Sequence, residues 1–273
     1  MIRSAVTVSL VPQAQGGPFV FWGDLETNCA KAAKLGFAAV EIFPPSADFL
    51  DVRRLEKLLK DLQLKLAAMG TGAGWVLQKL RLTDPAPEVR QRALQFATSI
   101  IDYAGRLGAP AIIGSMQGRF EDSVSREQAL FWLRKALEPL AARAHTHGVP
   151  LLFEPLNRYE SNLINGVADG VALLESLATK NVKLLCDLFH MNIEEISIPE
   201  SLRAAGSNLG HVHFVDSNRR PAGLGHLEYG PIVQTLRAIG FSGYASAEAL
   251  PYPSSEQAAE QTMITFKKYF PAS

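Results

Sequence analysis

Eight short apolar, β-rich runs alternate with longer amphipathic segments from one end of the chain to the other, and that alternation leaves few folds open. The runs are AVTVSL (5–10), AAVEIF (38–43), LKLAAM (64–69), APAIIG (109–114), VPLLFE (149–154), VKLLCD (182–187), HVHFVD (211–216) and GYASAE (243–248). Between them helical periodicity covers roughly 24–35, 51–62, 86–107, 125–147, 167–178, 199–206, 228–239 and 255–269. The third helix is the best signalled, with Asp84 as a cap, Pro85 at the first helical position and Gly108 after the last periodic residue. Eight βα units in 273 residues predict one (β/α)₈ TIM barrel, a single domain over 1–273. Its parallel strands are buried on both faces, which explains why the runs are nearly all apolar. A doubly wound open sheet is the alternative. It would carry a phosphate-binding glycine loop after its first strand, and LVPQAQGGPF (10–19) has neither the G-x-G-x-x-G nor the P-loop spacing.

Charge and composition remove several functions. Lys+Arg and Asp+Glu are equal at 27, so no global field attracts a polyanion, and no nucleic-acid partner is expected. The apolar fraction of 47% and the lack of a Pro/Gly/Ser-rich linker fit one globular core. Two cysteines, Cys29 and Cys186, no leader-like start and no apolar run of membrane-spanning length point to a cytoplasmic protein without a membrane partner. A homo-dimer or homo-tetramer is compatible with such a chain.

In a barrel of this kind chemistry gathers where the strands end, so the polar residues there form one set. The run LLFEPLNRYE (151–160) delivers Glu154 to the end of a buried strand, where an ionised carboxylate is costly unless something cationic holds it. Glu41, Asp187 and Glu248 end other strands, and His211 and His213 lie on the seventh. A lone strand-end carboxylate is an ordinary helix cap or loop residue. Three carboxylates and an imidazole aimed into one mouth would repel unless a cation sat among them, which predicts a divalent metal site. Such an oxygen-rich set suits Mn²⁺, Mg²⁺ or Co²⁺ better than a closed structural Zn²⁺. The i, i+2 spacing turns both histidines to one side, with His213 nearer the mouth as the ligand and His211 behind it.

Beyond spacing, the stretches EPLNRYESNLIN (154–165), CDLFHMN (186–192), GHVHFVDSNRRPAGLGHLEYG (210–230) and SAEAL (246–250) resemble the D-tagatose 3-epimerase group of sugar isomerases and epimerases. That group lies within the xylose isomerase-like barrel superfamily, and the likeness runs over most of the chain. It implies Glu154, Asp187, His213 and Glu248 as metal ligands, with Glu154 and Glu248 doubling as catalytic bases. It also implies His190, Arg219 and Glu160 as groups that touch substrate. The superfamily's endonuclease branch adds histidines after strands three and four; here those ends read Met69-Gly70 and Gly114-Ser115, which argues against DNA cleavage.

The activity so implied is C3 epimerisation of a ketose through a cis-enediolate, on a free or phosphorylated sugar. Hydroxypyruvate or aldose–ketose isomerisation and inosose-type dehydration use the same apparatus and remain alternatives, as does a non-catalytic sugar-binding barrel. Glu41 is expected among the substrate contacts, and Arg119, in GSMQGRF after strand four, is the candidate for holding a phosphate.

Overall fold

The computed structural model of the chain describes residues 1–121 and 123–271. Eight parallel strands form the barrel: β1 Arg3–Ser9, β2 Ala39–Phe43, β3 Lys65–Gly70, β4 Ala111–Ile113, β5 Leu151–Phe153, β6 Val182–Asp187, β7 Leu209–His213 and β8 Tyr244–Ala247. Each pairs with the next, and β8 returns to pair with β1, so the sheet closes. A two-residue strand, Phe21–Trp22, pairs with Val8 and Ser9 of β1, beyond the residues that β8 covers.

Among the described residues ten α-helices surround the strands: α1 Leu25–Leu35, α2 Val52–Asp61, α3 Ala73–Gln78, α4 Pro87–Arg106, α5 Arg126–Thr146, α6 Val167–Glu175, α7 Leu188–Glu194, α8 Ile198–Ala205, α9 Tyr229–Ala238 and α10 Ser255–Tyr269. Asp24, Asp51, Ser125 and Ser254 cap α1, α2, α5 and α10 by accepting from a backbone N–H in the first turn. Among the described residues no helix is long and apolar enough to cross a membrane.

Three details differ from the sequence reading. The helix expected from 86 starts at Pro87 with Ala86 as its N-cap. Pro87 forces the residue before it out of helical geometry, and Asp84 instead closes the preceding turn on Ala86 N at 3.0 Å. The seventh strand starts two residues earlier than expected and ends three earlier, on His213. The short helices α3 and α7 are additional, since six and seven residues carry too little periodicity to be seen in sequence.

Strand alternation sorts the interior from the helix-facing side. A small cluster of Phe43, Ala68, Ile112, Leu152 and Leu185 fills the barrel, separate from the large cluster between strands and helices. Two residues beyond Leu152 and Leu185 on the same face stand Glu154 and Asp187. A register shift between β6 and β7 leaves Gly210 unpaired and sets His211 beside Leu185 and His213 beside Asp187.

The floor on the β3 side depends on a missing side chain. Phe43 lies across Gly70, where a Cβ would come within 2.1 Å of the ring. Gly70→Ala therefore forces the ring to move, and about 1–3 kcal/mol of stability should be lost. Denaturant unfolding measures it, and an unchanged midpoint would show that Phe43 packs elsewhere.

Candidate active site

The mouth of the barrel brings together side chains that lie far apart in sequence. Glu154 follows β5 directly, its N–H bonded to the Ile113 carbonyl and its own carbonyl accepting from Gln117 Nε2 at 3.0 Å. Gly114 makes room for it, because a Cβ there would stand 2.5 Å from Glu154 Oε2. Asp187 ends β6 and caps α7, its Oδ1 accepting from the N–H groups of Phe189 (2.7 Å) and His190 (3.2 Å). Its Oδ2 is thereby turned toward His213 Nδ1, 3.1 Å away. Glu154 Oε1 and Glu248 Oε2 approach the same nitrogen at 3.3 and 3.4 Å. The four ligating atoms lie within 4.8 Å of one another, and all four residues are buried.

Burial disfavours charge on the His213 imidazole, but Glu248 and Glu41 outweigh it and hold its pKa well above the ordinary histidine value. Burial also penalises the carboxylates. For Asp187 the neighbouring His190 and His213 overcome that and keep it ionised far below the usual range. Glu248 goes the other way: burial, joined by the like charges of Glu154 and Asp187, lifts it to about 8 against the pull of His213 and Arg219. One Nδ1 proton cannot satisfy three carboxylates, and Glu154 Oε1 is left buried without a hydrogen bond among the described residues. Three carboxylates and one imidazole around an unmet charge fit a divalent cation, which Glu154, Asp187, His213 and Glu248 would hold.

Glu41 lies elsewhere than the sequence reading expected. It sits inside β2 rather than at its end, is wholly buried, and is absent from the cavity wall. Its two oxygens meet His211 Nε2 at 2.7 Å and His213 Nε2 at 3.0 Å. It therefore touches the histidines and no substrate space; bonded to His213 Nε2–H, it leaves Nδ1 free to face the three carboxylates. His211 stands behind His213, as its spacing implies.

The remaining candidates line one cavity of about 540 Å³: His190, Arg219, Glu160 and Arg119, together with Glu154 and Glu248. His190 is buried, and Asn157 donates to its Nδ1 through Nδ2 at 2.7 Å and through its backbone N–H at 3.3 Å. That leaves Nε2 protonated and without a partner among the described residues. Arg219 donates to Glu160 Oε1 (2.7 Å) and Glu248 Oε2 (3.1 Å), and its guanidinium lies over the Phe189 ring. Its backbone occupies the left-handed region at φ 60°, an unfavourable state for a side chain of this size. Two groups were missed. Asn157 follows a strand end in EPLNRYE, a position where a polar residue is a signal. Asp216, three residues past His213, folds the loop that carries Arg219 by accepting from Ser217 N, Gly223 N, Leu227 N and Tyr229 OH.

Glutamine at position 41 offers one carbonyl where two imidazoles now find a carboxylate. Glu41→Gln should lower divalent-ion affinity about 10- to 100-fold with the fold intact by circular dichroism, measured by calorimetric titration. Wild-type affinity would reduce Glu41 to a space-filling role. Protonation should also appear in ion uptake. With Glu248 titrating near 8 and His213 raised as well, both carry protons at about pH 6 and must lose them to ligate, whereas at about pH 9 Glu248 is already ionised. Apparent affinity should climb through that window, and more protons should leave per ion at the lower pH. Titrations in buffers of different ionisation heat count them, and a pH-independent affinity would contradict the ligand set.

Comparison with known proteins agrees with this architecture. The family model described as xylose isomerase-like TIM barrel matches residues 29–269. D-psicose 3-epimerase of Ruminiclostridium cellulolyticum is 30% identical over 239 residues, covering 82% of this chain and 80% of that one. L-ribulose 3-epimerase of Mesorhizobium japonicum is 31% identical over 233 residues, covering 83% and 75%. The crystal structure of D-allulose 3-epimerase from Methylomonas sp. in complex with D-allulose shares the fold with a TM-score of 0.84 at 22% identity, covering 98% of this chain and 97% of that one. The barrel, the order of its mouth residues and these matches converge: the chain belongs to the xylose isomerase-like TIM barrel family, within its D-tagatose 3-epimerase-like group of isomerases.

Proposed function

We propose that the protein is a divalent-metal-dependent ketose epimerase that inverts C3 through a cis-enediolate. The observation that carries this reading is the pair of carboxylates, Glu154 after β5 and Glu248 after β8, which come from strands three apart in the ring and both line the cavity. Relatives bearing 3-epimerase names support it.

When bound, a divalent ion, Mn²⁺ by preference with Mg²⁺ or Co²⁺ as substitutes, supplies Lewis acidity toward the ketone and the hydroxyl beside it. In the open-chain ketose one carboxylate removes the C3 proton. The C–H electron pair becomes the C2–C3 double bond, and the ketone oxygen takes the negative charge. The other carboxylate delivers a proton to the opposite face of C3, and the configuration inverts. His190 donates from Nε2 to a substrate oxygen, its tautomer set by Asn157. Arg219 offsets the developing oxygen charge and holds Glu248, while Glu160 holds Arg219. Arg119 is exposed at the cavity wall, where it meets the far end of the sugar or a substituent on it. Proton movement along one face between C1 and C2 needs a single base, and a sensor needs none, so two facing carboxylates favour epimerisation.

Glu154→Gln and Glu248→Gln each keep size and one coordinating oxygen but remove a base. Each should cut turnover by roughly 10²- to 10⁴-fold. In deuterated water one variant should still exchange the C3 proton without inverting it, since a single carboxylate can remove and return a proton on one face. Exchange at C1 instead of C3 would replace epimerisation by aldose–ketose isomerisation. Wild-type rates in both variants would remove the two-base mechanism.

A further inference from the structure

The cavity is divided chemically. Its reactive half is built after β5, β6, β7 and β8 and holds Glu154, Glu160, His190, Arg219 and Glu248. Its other half is built after β1, β2 and β3 and holds no ionisable side chain among the residues that line it. There Phe19, Phe43 and Trp75, from the loop after β1, the end of β2 and α3, face the same space, with Val11 and Val76 beside them. Phe19 packs on Phe43 with ring centroids 4.5 Å apart, so this wall is preassembled. Thr71, Gly72 and Ala73 keep the floor between these aromatics low.

Size points the same way. At about 30 Å³ per water, 540 Å³ holds roughly eighteen waters, and bonded atoms pack closer than waters. A free ketohexose of about twelve non-hydrogen atoms leaves much of such a space unfilled, and a volume in this range suits a drug-sized ligand. A phosphate would want several converging donors, whereas among the described residues Arg119 is the one cation lining this end of the cavity, and Lys79 and Arg81 lie over the Trp75 ring without lining the cavity.

We infer that the aromatic half is a subsite for a second ring, so that the substrates are ketoses glycosylated at the end remote from C3 rather than free monosaccharides. The inference rests on the ketose-epimerase reading for the orientation of the sugar. The uncharged aromatic wall covers the apolar face of the second ring, Gln13 and Gln15 meet its hydroxyls, and the ketone remains between Glu154 and Glu248.

Calorimetric binding to the Mn²⁺-loaded protein tests it with three probes: fructose, 6-O-glucosylfructose and fructose 6-phosphate. The disaccharide should bind at least about tenfold more tightly than fructose, and Trp75→Ala should abolish that advantage while leaving fructose binding unchanged. Val76→Trp, which fills the subsite, should exclude the disaccharide and spare fructose, so the outcome does not hang on one variant. Equal or weaker binding of the disaccharide overturns the inference. So does tightest binding of the phosphate with loss of its advantage in Arg119→Ala. Deuterium exchange on the same ligands separates the two claims: a disaccharide that binds tightly but exchanges no proton sinks the epimerase reading and leaves the subsite standing, while exchange with fructose alone does the reverse.

Discussion

Three carboxylates, Glu154, Asp187 and Glu248, converge on a single imidazole nitrogen inside a closed barrel, and the rest of the mouth is arranged around the need to hold them there. Two like charges about 4 Å apart repel by roughly 4 kcal/mol at the effective dielectric of a protein site. Without an ion the burden falls on His213, which is driven toward its charged form, and on Glu248, which is driven toward its neutral one. A divalent cation held by the same four groups would remove both distortions at once.

Asp187 and His213 are each held by a second polar atom, and Glu248 by an arginine. Asp187 commits one oxygen to the start of α7, which also delivers His190. His213 commits Nε2 to Glu41, and Glu41 is fixed in turn by His211. Glu248 is tied to Arg219, and through it to Glu160. The scaffold therefore determines not only where Asp187 and His213 stand but which atom each turns to the mouth, so that the tautomer and the lone pair are set in advance.

Arg219 shows what this organisation costs. A non-glycine residue in the left-handed region carries about 1–3 kcal/mol of strain and persists only where its surroundings over-determine it. Here its N–H is bonded to the Asp216 carbonyl, its carbonyl accepts from Leu250, and its guanidinium has two carboxylate partners. Asp216 gathers the loop from beneath. Strain at this residue accompanies a cation aimed across Glu248. Across the mouth the wall after β1, β2 and β3 is aromatic, with no ionisable side chain among the described residues that line it.

By itself the sequence determined the barrel and most of the groups at its mouth. The barrel and the carboxylates and histidines at its strand ends follow from local spacing, eight apolar runs each followed by an amphipathic helix, whereas His190, Arg219 and Glu160 came from the family resemblance. The i, i+2 relation of His211 and His213 even separated the nitrogen that faces the carboxylates from the one behind it. Depth was not legible. Alternation says that Glu41 points inward, but its level in the barrel depends on strand stagger and on the register shifts at Val40/Glu41 and Leu184/Leu185, which bring it under the histidines instead of up to the cavity. Nor could sequence disclose that Phe43 crosses a strand to lie over Gly70, that Asp187 divides its oxygens between a helix and a histidine, or that Arg219 adopts a left-handed backbone. Those depend on contacts between elements tens of residues apart, whose geometry is set only when the sheet closes and the strands take up one stagger.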